Sequence, residues 1–455
     1  MRNKNLFILA VVVAVVGAYI FFFERHQPTS EEARTRAEKV FPDLDQDAVA
    51  GIEIRGLEGR VRLERVDDEW HLREPLDFPA DPSKVNSALG SLANLVADRR
   101  LAADEVDPRE YGLNEPAVEV ELRSDEGVIV SLAVGDEMPL GSKRALRLDS
   151  GAEILLASGW FVNDLDREVD DWRSREVVYV VADQVAALEV EAGVDHIRAV
   201  QINYEWRLLR PLEDVADGDH LGSVISDLNS LRIEEFLDGV VDPAELGLEA
   251  PEYEITVIRT DGGEPLRLDL GATREGEGGT DVACRRGESE YFWARDSVRT
   301  RLSKAPVLWR SKKVGAFENW DAESLVLDRG GATVALDRIE GLWRFADGGE
   351  ANSVEVQDRL SKLGKLEAQD FDLVAPITSE MGRAEVVMRA ADDESEPRAL
   401  KFTFFEPLTE GGRAMVRVSG RDTIMGVDTA EVDKILGDFE ALHPEQPQEP
   451  AAEPE

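Results

Sequence analysis

The chain has 455 residues, with 52 Lys and Arg against 94 Asp and Glu, a formal net charge of −42. A hydrophobic share of 43% is enough for a packed core and excludes global disorder, and the length suggests roughly three domains. The charge argues against nucleic acid as a partner, because phosphate binding needs clustered cations, and the one cysteine, Cys284, leaves no intrachain disulfide and no all-cysteine metal site.

Residues 6–23 (LFILAVVVAVVGAYIFFF) carry no charge. As a helix they reach about 27 Å, enough to cross a hydrocarbon core of about 30 Å. Arg2 and Lys4 precede this stretch, so the positive-inside rule places the N-terminus in the cytoplasm and the bulk of the chain in the periplasm. The competing reading is a cleaved signal peptide. Against it, the run is long for such a segment and ends in Tyr19-Ile20-Phe21-Phe22-Phe23, with no small-residue cleavage site. Residues 1–25 therefore read as a single-pass inner-membrane anchor, and 26–47 as a polar linker. Beyond residue 25 the chain carries 49 basic and 93 acidic residues, net −44, so the acidity belongs to the part expected outside the cytoplasm.

Internal repetition decides the architecture. Glu69-Trp70-His71-Leu72-Arg73-Glu74-Pro75 matches Glu205-Trp206-Arg207-Leu208-Leu209-Arg210-Pro211. Asp107-Pro108 through Gly112-Leu113 to Pro116 matches Asp242-Pro243 through Gly247-Leu248 to Pro251. Trp172-Arg173-Ser174 matches Trp309-Arg310-Ser311, and Gly135 matches Gly271. The offsets are all close to 136 residues. A weaker third copy carries Trp343 and the helical stripe Val356, Leu360, Leu363 and Leu366. That stripe repeats Val85, Leu89, Leu92, Leu95 and Leu221, Ile225, Leu228, Leu231 at the same 4, 3, 3 spacing. The copies read as 48–183, 184–321 and, divergent, 322–442. Residues 443–455 form a Pro/Glu tail whose composition predicts disorder.

Within the first copy, alternating apolar residues predict strands at 49–55, 60–66 and around 70–72. Asp81 and Pro82 then open an amphipathic helix. Asp107 caps a one-turn helix that Gly112 ends at positive φ. Strands follow at 117–122, 128–134, 145–148 and 154–156, and a final helix at 160–172. Hairpin-length gaps make the pairing mostly antiparallel, so the fold class is α+β: an N-terminal transmembrane helix, then three tandem repeats of a mostly antiparallel sheet with packed helices. Trp70, Trp206 and Trp343 are read as core residues rather than sugar- or peptide-stacking sites, since each recurs at one structural place. Trp172 and Trp309 are read as joints between copies. The Gly-rich stretch 271–280 reads as a flexible surface connection.

The sequence holds no phosphate-binding loop, no nucleophile elbow and no H-E-x-x-H. The five histidines lie singly, and Asp43-Leu44-Asp45-Gln46-Asp47 departs from a calcium loop at Ala48 and Ile54. Catalytic, cofactor and metal residues are accordingly assigned as none. Cys284, though beside Arg285 and Arg286, reads as a small core filler.

A short N-terminal anchor followed by W-x-L-x-x-P, an amphipathic helix and Y-G-L-x-x-P resembles the bacterial domain of unknown function 4340 family. The residues are Trp70, Leu72, Pro75, Tyr111, Gly112, Leu113 and Pro116, then Trp206, Leu208, Pro211, Gly247, Leu248 and Pro251, with Leu246 in place of the tyrosine. The resemblance implies an accessory role beside ABC-type transport systems of the gliding-motility kind, and it brings no catalytic residues. The leading expectation is a membrane-anchored periplasmic scaffold or binding protein whose partner is an ABC permease or an envelope polymer. The alternatives are a hydrolase using carboxylates in a cleft between copies, and cation binding by acidic faces.

Overall fold

The structure, a computed structural model, describes residues 38–102, 106–139, 141–148, 153–371, 378–390 and 397–444. The apolar stretch 6–23, most of the linker and tail residues 445–455 lie outside the described residues. Among the described residues, no helix is long and apolar enough to cross a membrane. The chain divides into two compact units, Met1–Arg175 and Glu176–Glu455.

The first unit is built on a nine-stranded antiparallel sheet. Its strands are β1 (Gly51–Gly56), β2 (Gly59–Val66), β3 (Glu69–Glu74), β4 (Phe78–Pro79), β5 (Ala97–Ala102), β6 (Val118–Ser124), β7 (Gly127–Glu137), β8 (Lys143–Leu148) and β9 (Glu153–Ser158). They lie in the order β4-β3-β2-β1-β6-β7-β8-β9-β5. The central strand β1 pairs Ile52 with Leu63 on one side and Leu122 on the other, and all three are buried. Alternation sends Glu53 to the opposite face, where Arg55, Arg60 and Arg123 surround its carboxylate. One face of the sheet is thus apolar, and helix α1 (Pro82–Ala93) covers it through Val85, Leu89 and Leu92. Asp81 caps α1 by accepting from the Ser83 and Lys84 backbone N–H groups.

The second unit holds two more sheets. One repeats the nine-strand order strand for strand, with helix α2 (Gly218–Asn229) in the place of α1. The other has eight strands in the same order and carries helix α3 (Ser353–Gly364) and a further helix α4 (Thr429–Leu436). The missing strand is the counterpart of β4, reduced to a single bridge between Arg344 and Glu350. All three copies turn from their second to their third strand through two left-handed residues: Asp67-Asp68, Asn203-Tyr204 and Glu340-Gly341. That is the two-residue hairpin whose twist matches that of its strands. Each copy also closes by one shared hydrogen bond. The backbone N–H at the helix cap (Asp81, Asp217 or Asn352) donates to the carbonyl of Trp172, Trp309 or Leu442 at 2.8, 2.8 and 2.7 Å.

Two local expectations are corrected. The helix expected at 160–172 is two separate short helices, Gly159–Asp164 and Val169–Trp172. The first follows the 3-10 pattern and buries Phe161 and Val162, and the chain then re-caps at Glu168. The stretch 271–280 is no loose loop. It belongs to the strands Leu266–Gly276 and Gly279–Arg286, which pair Thr273 with Val282 and Gly276 with Gly279, so its glycines serve a tight hairpin.

Candidate functional site

The repeated motif residues serve the fold. Trp70, Trp206 and Trp343 lie in the cores of their sheets. Pro75 and Pro211 follow cis peptide bonds and are exposed. Gly112 and Gly247 end their turns at φ 69° and 67°. Leu113 and Leu248 are fully buried just after them, while Pro116 and Pro251 are half-buried. A Cβ on Gly135 would overlap the Tyr111 carbonyl oxygen, and one on Gly271 the Leu246 carbonyl oxygen. The Gly-Leu element therefore docks on a second glycine in each copy. Cys284 is buried, and burial pushes its thiol pKa up rather than down.

Trp172 and Trp309 are fully buried, each ending in an extended segment that bridges back to its own copy, Arg173 to Ala80 and Arg310 to Ala216. In the second unit this segment also reaches the third sheet. Asp214 stands at the centre, with its side chain fully buried. Arg310 Nε donates to Asp214 Oδ2 at 2.6 Å, and Arg421 Nε to Oδ1 at 2.6 Å. Arg421 Nη2 makes a second contact to Oδ2 at 3.0 Å. Arg310 also donates to Thr423 Oγ1 at 2.6 Å, and Arg421 to the carbonyls of Lys313 and Ser311 at 2.6 and 3.1 Å. Burial alone would raise the Asp214 pKa, but the hydrogen bonds and charges of Arg421 and Arg310 outweigh it and hold the carboxylate below its ordinary range. Two arginines, one from the second copy and one from the third, are thus locked on one aspartate.

Above this cluster lies a cleft of about 280 Å³. Its walls come from the turn and strand around Tyr204, Trp206 and Arg207, the segment Ser311–Ala316, and the third-sheet residues Arg398, Leu400 and Arg421. Four cations line it, Arg207, Lys313, Arg398 and Arg421, against one carboxylate, Glu205. Arg421 is committed to Asp214, and Arg398 lies 3.7 Å from Glu205. Arg207 and Lys313 have no ion-pair partner among the described residues. On a chain of net charge −42, this is a cationic recess. A larger groove in the first unit, about 700 Å³, is lined by Phe41, Leu44 and Ile129 together with Asp43, Asp45, Asp125 and Glu126. No group of three His, Cys, Asp or Glu side chains able to hold a metal ion occurs among the described residues.

The sequence pattern singled out Arg310 only as part of a joint and did not single out Asp214 or Arg421. A signal was present. At the place of Asp214 the first copy has Phe78, so the second copy puts a carboxylate where an apolar residue packs.

The family model for Domain of unknown function (DUF4340) matches residues 70–251 and again 206–381. The chain belongs to this family. Both DUF4340 matches open on the repeated structural place of Trp70 and Trp206, and they overlap between 206 and 251. The DUF4340 unit is therefore longer than one sheet. The first match runs from the third strand of one copy past the Gly-Leu element of the next, and the second from Trp206 to Met381 in the third copy. No curated protein and no solved structure matches the chain.

Proposed function

We propose that this DUF4340 protein is a non-catalytic binding or scaffolding protein of the cell envelope. In this reading residues 6–23 anchor it in the inner membrane, and the sheets stand in the periplasm as an accessory of an ABC-type transporter or another envelope complex. The observation that carries the binding role is the cleft over Asp214. Arg421 in its lining is tied to Asp214, a fully buried carboxylate that two arginines hold below its ordinary pKa range and that does not itself line the cleft. The cleft walls offer Arg207 and Lys313, which have no ion pair among the described residues, and the exposed ring of Tyr204, which suit recognition.

The hydrolase alternative needs two carboxylates converging on one point. This cleft is lined by one carboxylate, Glu205, which lies beside Arg398. The test has two arms. Protease added to intact cells should spare the bulk of the chain, and protease added to spheroplasts should degrade it. Mild detergent extraction should recover the chain with a permease or envelope component. Degradation resistance in spheroplasts, or recovery from membranes with no transporter or envelope partner, would overturn the reading.

A further inference from the structure

We propose that the cationic cleft of the second unit is the docking site of the chain's own acidic, proline-rich segment, residues 445–455. This rests on reading the cleft as a recognition surface. Three observations converge on it.

The first is charge. The segment (EQPQEPAAEPE) carries Glu445, Glu449, Glu453 and Glu455 and no Lys or Arg. The cleft is the complementary surface, with Arg207 and Lys313 carrying no ion pair among the described residues. Opposite charges across such a surface steer encounter and fix register.

The second is reach. The described chain ahead of the segment ends at His443-Pro444; the His443 ring stacks on Phe345 at 4.4 Å, next to Leu442, whose carbonyl accepts from the Asn352 N–H. Asn352 caps the start of α3. Past the other end of α3, the Leu366 carbonyl accepts from the Val314 N–H at 2.9 Å, and Val314 lines the cleft. Leu442 and Val314 are thus about one twelve-residue helix apart, about 18 Å. Eleven residues in the extended proline-type helix reach about 34 Å.

The third is Tyr204. It is 85% exposed, lines the cleft and sits at φ 64°, in the second position of its hairpin turn. The same position is Asp68 in the first copy and Gly341 in the third, residues suited to that backbone. A bulky aromatic held there carries strain without burying its ring, a pattern that marks function. Proline-rich segments dock against aromatic rings in grooves of this kind, because their extended form is already set before binding.

A fluorescein-labelled peptide of residues 445–455, titrated by anisotropy, tests this on the full chain and on the chain ending at Pro444. The shortened chain should bind saturably and lose affinity with added salt. The full chain should bind the peptide at least about tenfold more weakly, because its own segment competes at high effective concentration. R207E/K313E in the shortened chain should also weaken binding about tenfold or more. Y204G should weaken binding while leaving the thermal midpoint unchanged or raised, a split that a purely structural tyrosine would not produce. Equal affinity for full and shortened chains, binding indifferent to R207E/K313E, or no saturable binding would each overturn the proposal. None of those outcomes would touch the membrane and protease results, which test the envelope reading separately.

Discussion

The first and second sheets share strand order, turn geometry and closing hydrogen bond, yet they fill two equivalent places with opposite chemistry. Where the first copy stacks Arg173 over the Phe78 ring at 4.4 Å, the second sets Arg310 on Asp214. Where the first puts Asp164 against Ser87 and Ser91, the second puts Arg301 against Asp227. The backbone pattern therefore tolerates either solution at these places. Arg173 pairs with Asp170 of its own copy, and the Asp214 cluster draws in Arg421 and Thr423 of the third copy. An aspartate in place of a phenylalanine lets two sheets share one buried charge centre. Such a centre is costly to break, because any member removed leaves an uncompensated charge behind.

The comparison can be broken first at Asp214. Asp214→Ala leaves Arg310 and Arg421 buried without their anion and should cost about 3–5 kcal/mol in denaturant unfolding of the second unit. The matching change in the first copy, Phe78→Leu, keeps an apolar contact and should cost about 1–1.5 kcal/mol. Equal losses would mean that the cluster is no more than packing.

Next in size is a pH effect confined to the second copy. His220 opens α2 against the edge of Trp309, with Lys304, Arg301, Asp217 and Asp227 around it. Burial, and then the Lys304 charge, lower its pKa from 6.5 to about 4. The unfolded chain therefore takes up a proton first, and stability falls as pH drops from about 6.5 towards 4, by on the order of 2–3 kcal/mol. Above pH 6.5 the group contributes no slope. His220→Leu should flatten the pH dependence of the unfolding midpoint in that window. An unchanged slope would show that the carboxylates alone produce it.

Gly135→Ala and Gly271→Ala sharpen what the copies share. Each pushes a methyl group into the carbonyl of the preceding turn, and each should lower stability by about 1–3 kcal/mol, by similar amounts. The smallest effect is expected at Arg398. Its rim pair with Glu205 is more than half exposed on both sides, so Arg398→Ala should change thermal stability by less than about 1 kcal/mol.

Much of this fold was legible because it is local and repeated. The 4, 3, 3 stripe gave the helices, Asp81-Pro82 and Asp107-Pro108 gave the caps, and the 136-residue offset gave the copies. The strands missed were β4 and β5. Phe78–Pro79 is too short to show alternation. Ala97–Ala102 (ADRRLA) is an edge strand with an exposed middle, so no apolar face marks it. The helix read into 160–172 had the right apolar residues, but Phe161, Val162 and Trp172 are buried from two short helices and Leu165 from the link between them. The cleft was beyond the pattern for a different reason. Asp214 meets Arg310 across 96 positions and Arg421 across 207, and no periodicity connects residues so far apart.

The phase of the family match has a practical consequence. The matches begin at Trp70 and Trp206, each on the third strand of its sheet, whereas the central strand is the first: β1 in one case and Val185–Ala192 in the other. An expression fragment cut at the family boundary would lack the strand that both halves of the sheet pair with, along with Ile52 and Ile54 of the core. Fragments meant to behave as independent pieces should instead keep the central strand and run to the residue after the closing Trp-Arg-Ser segment, as Arg175 does for the first unit.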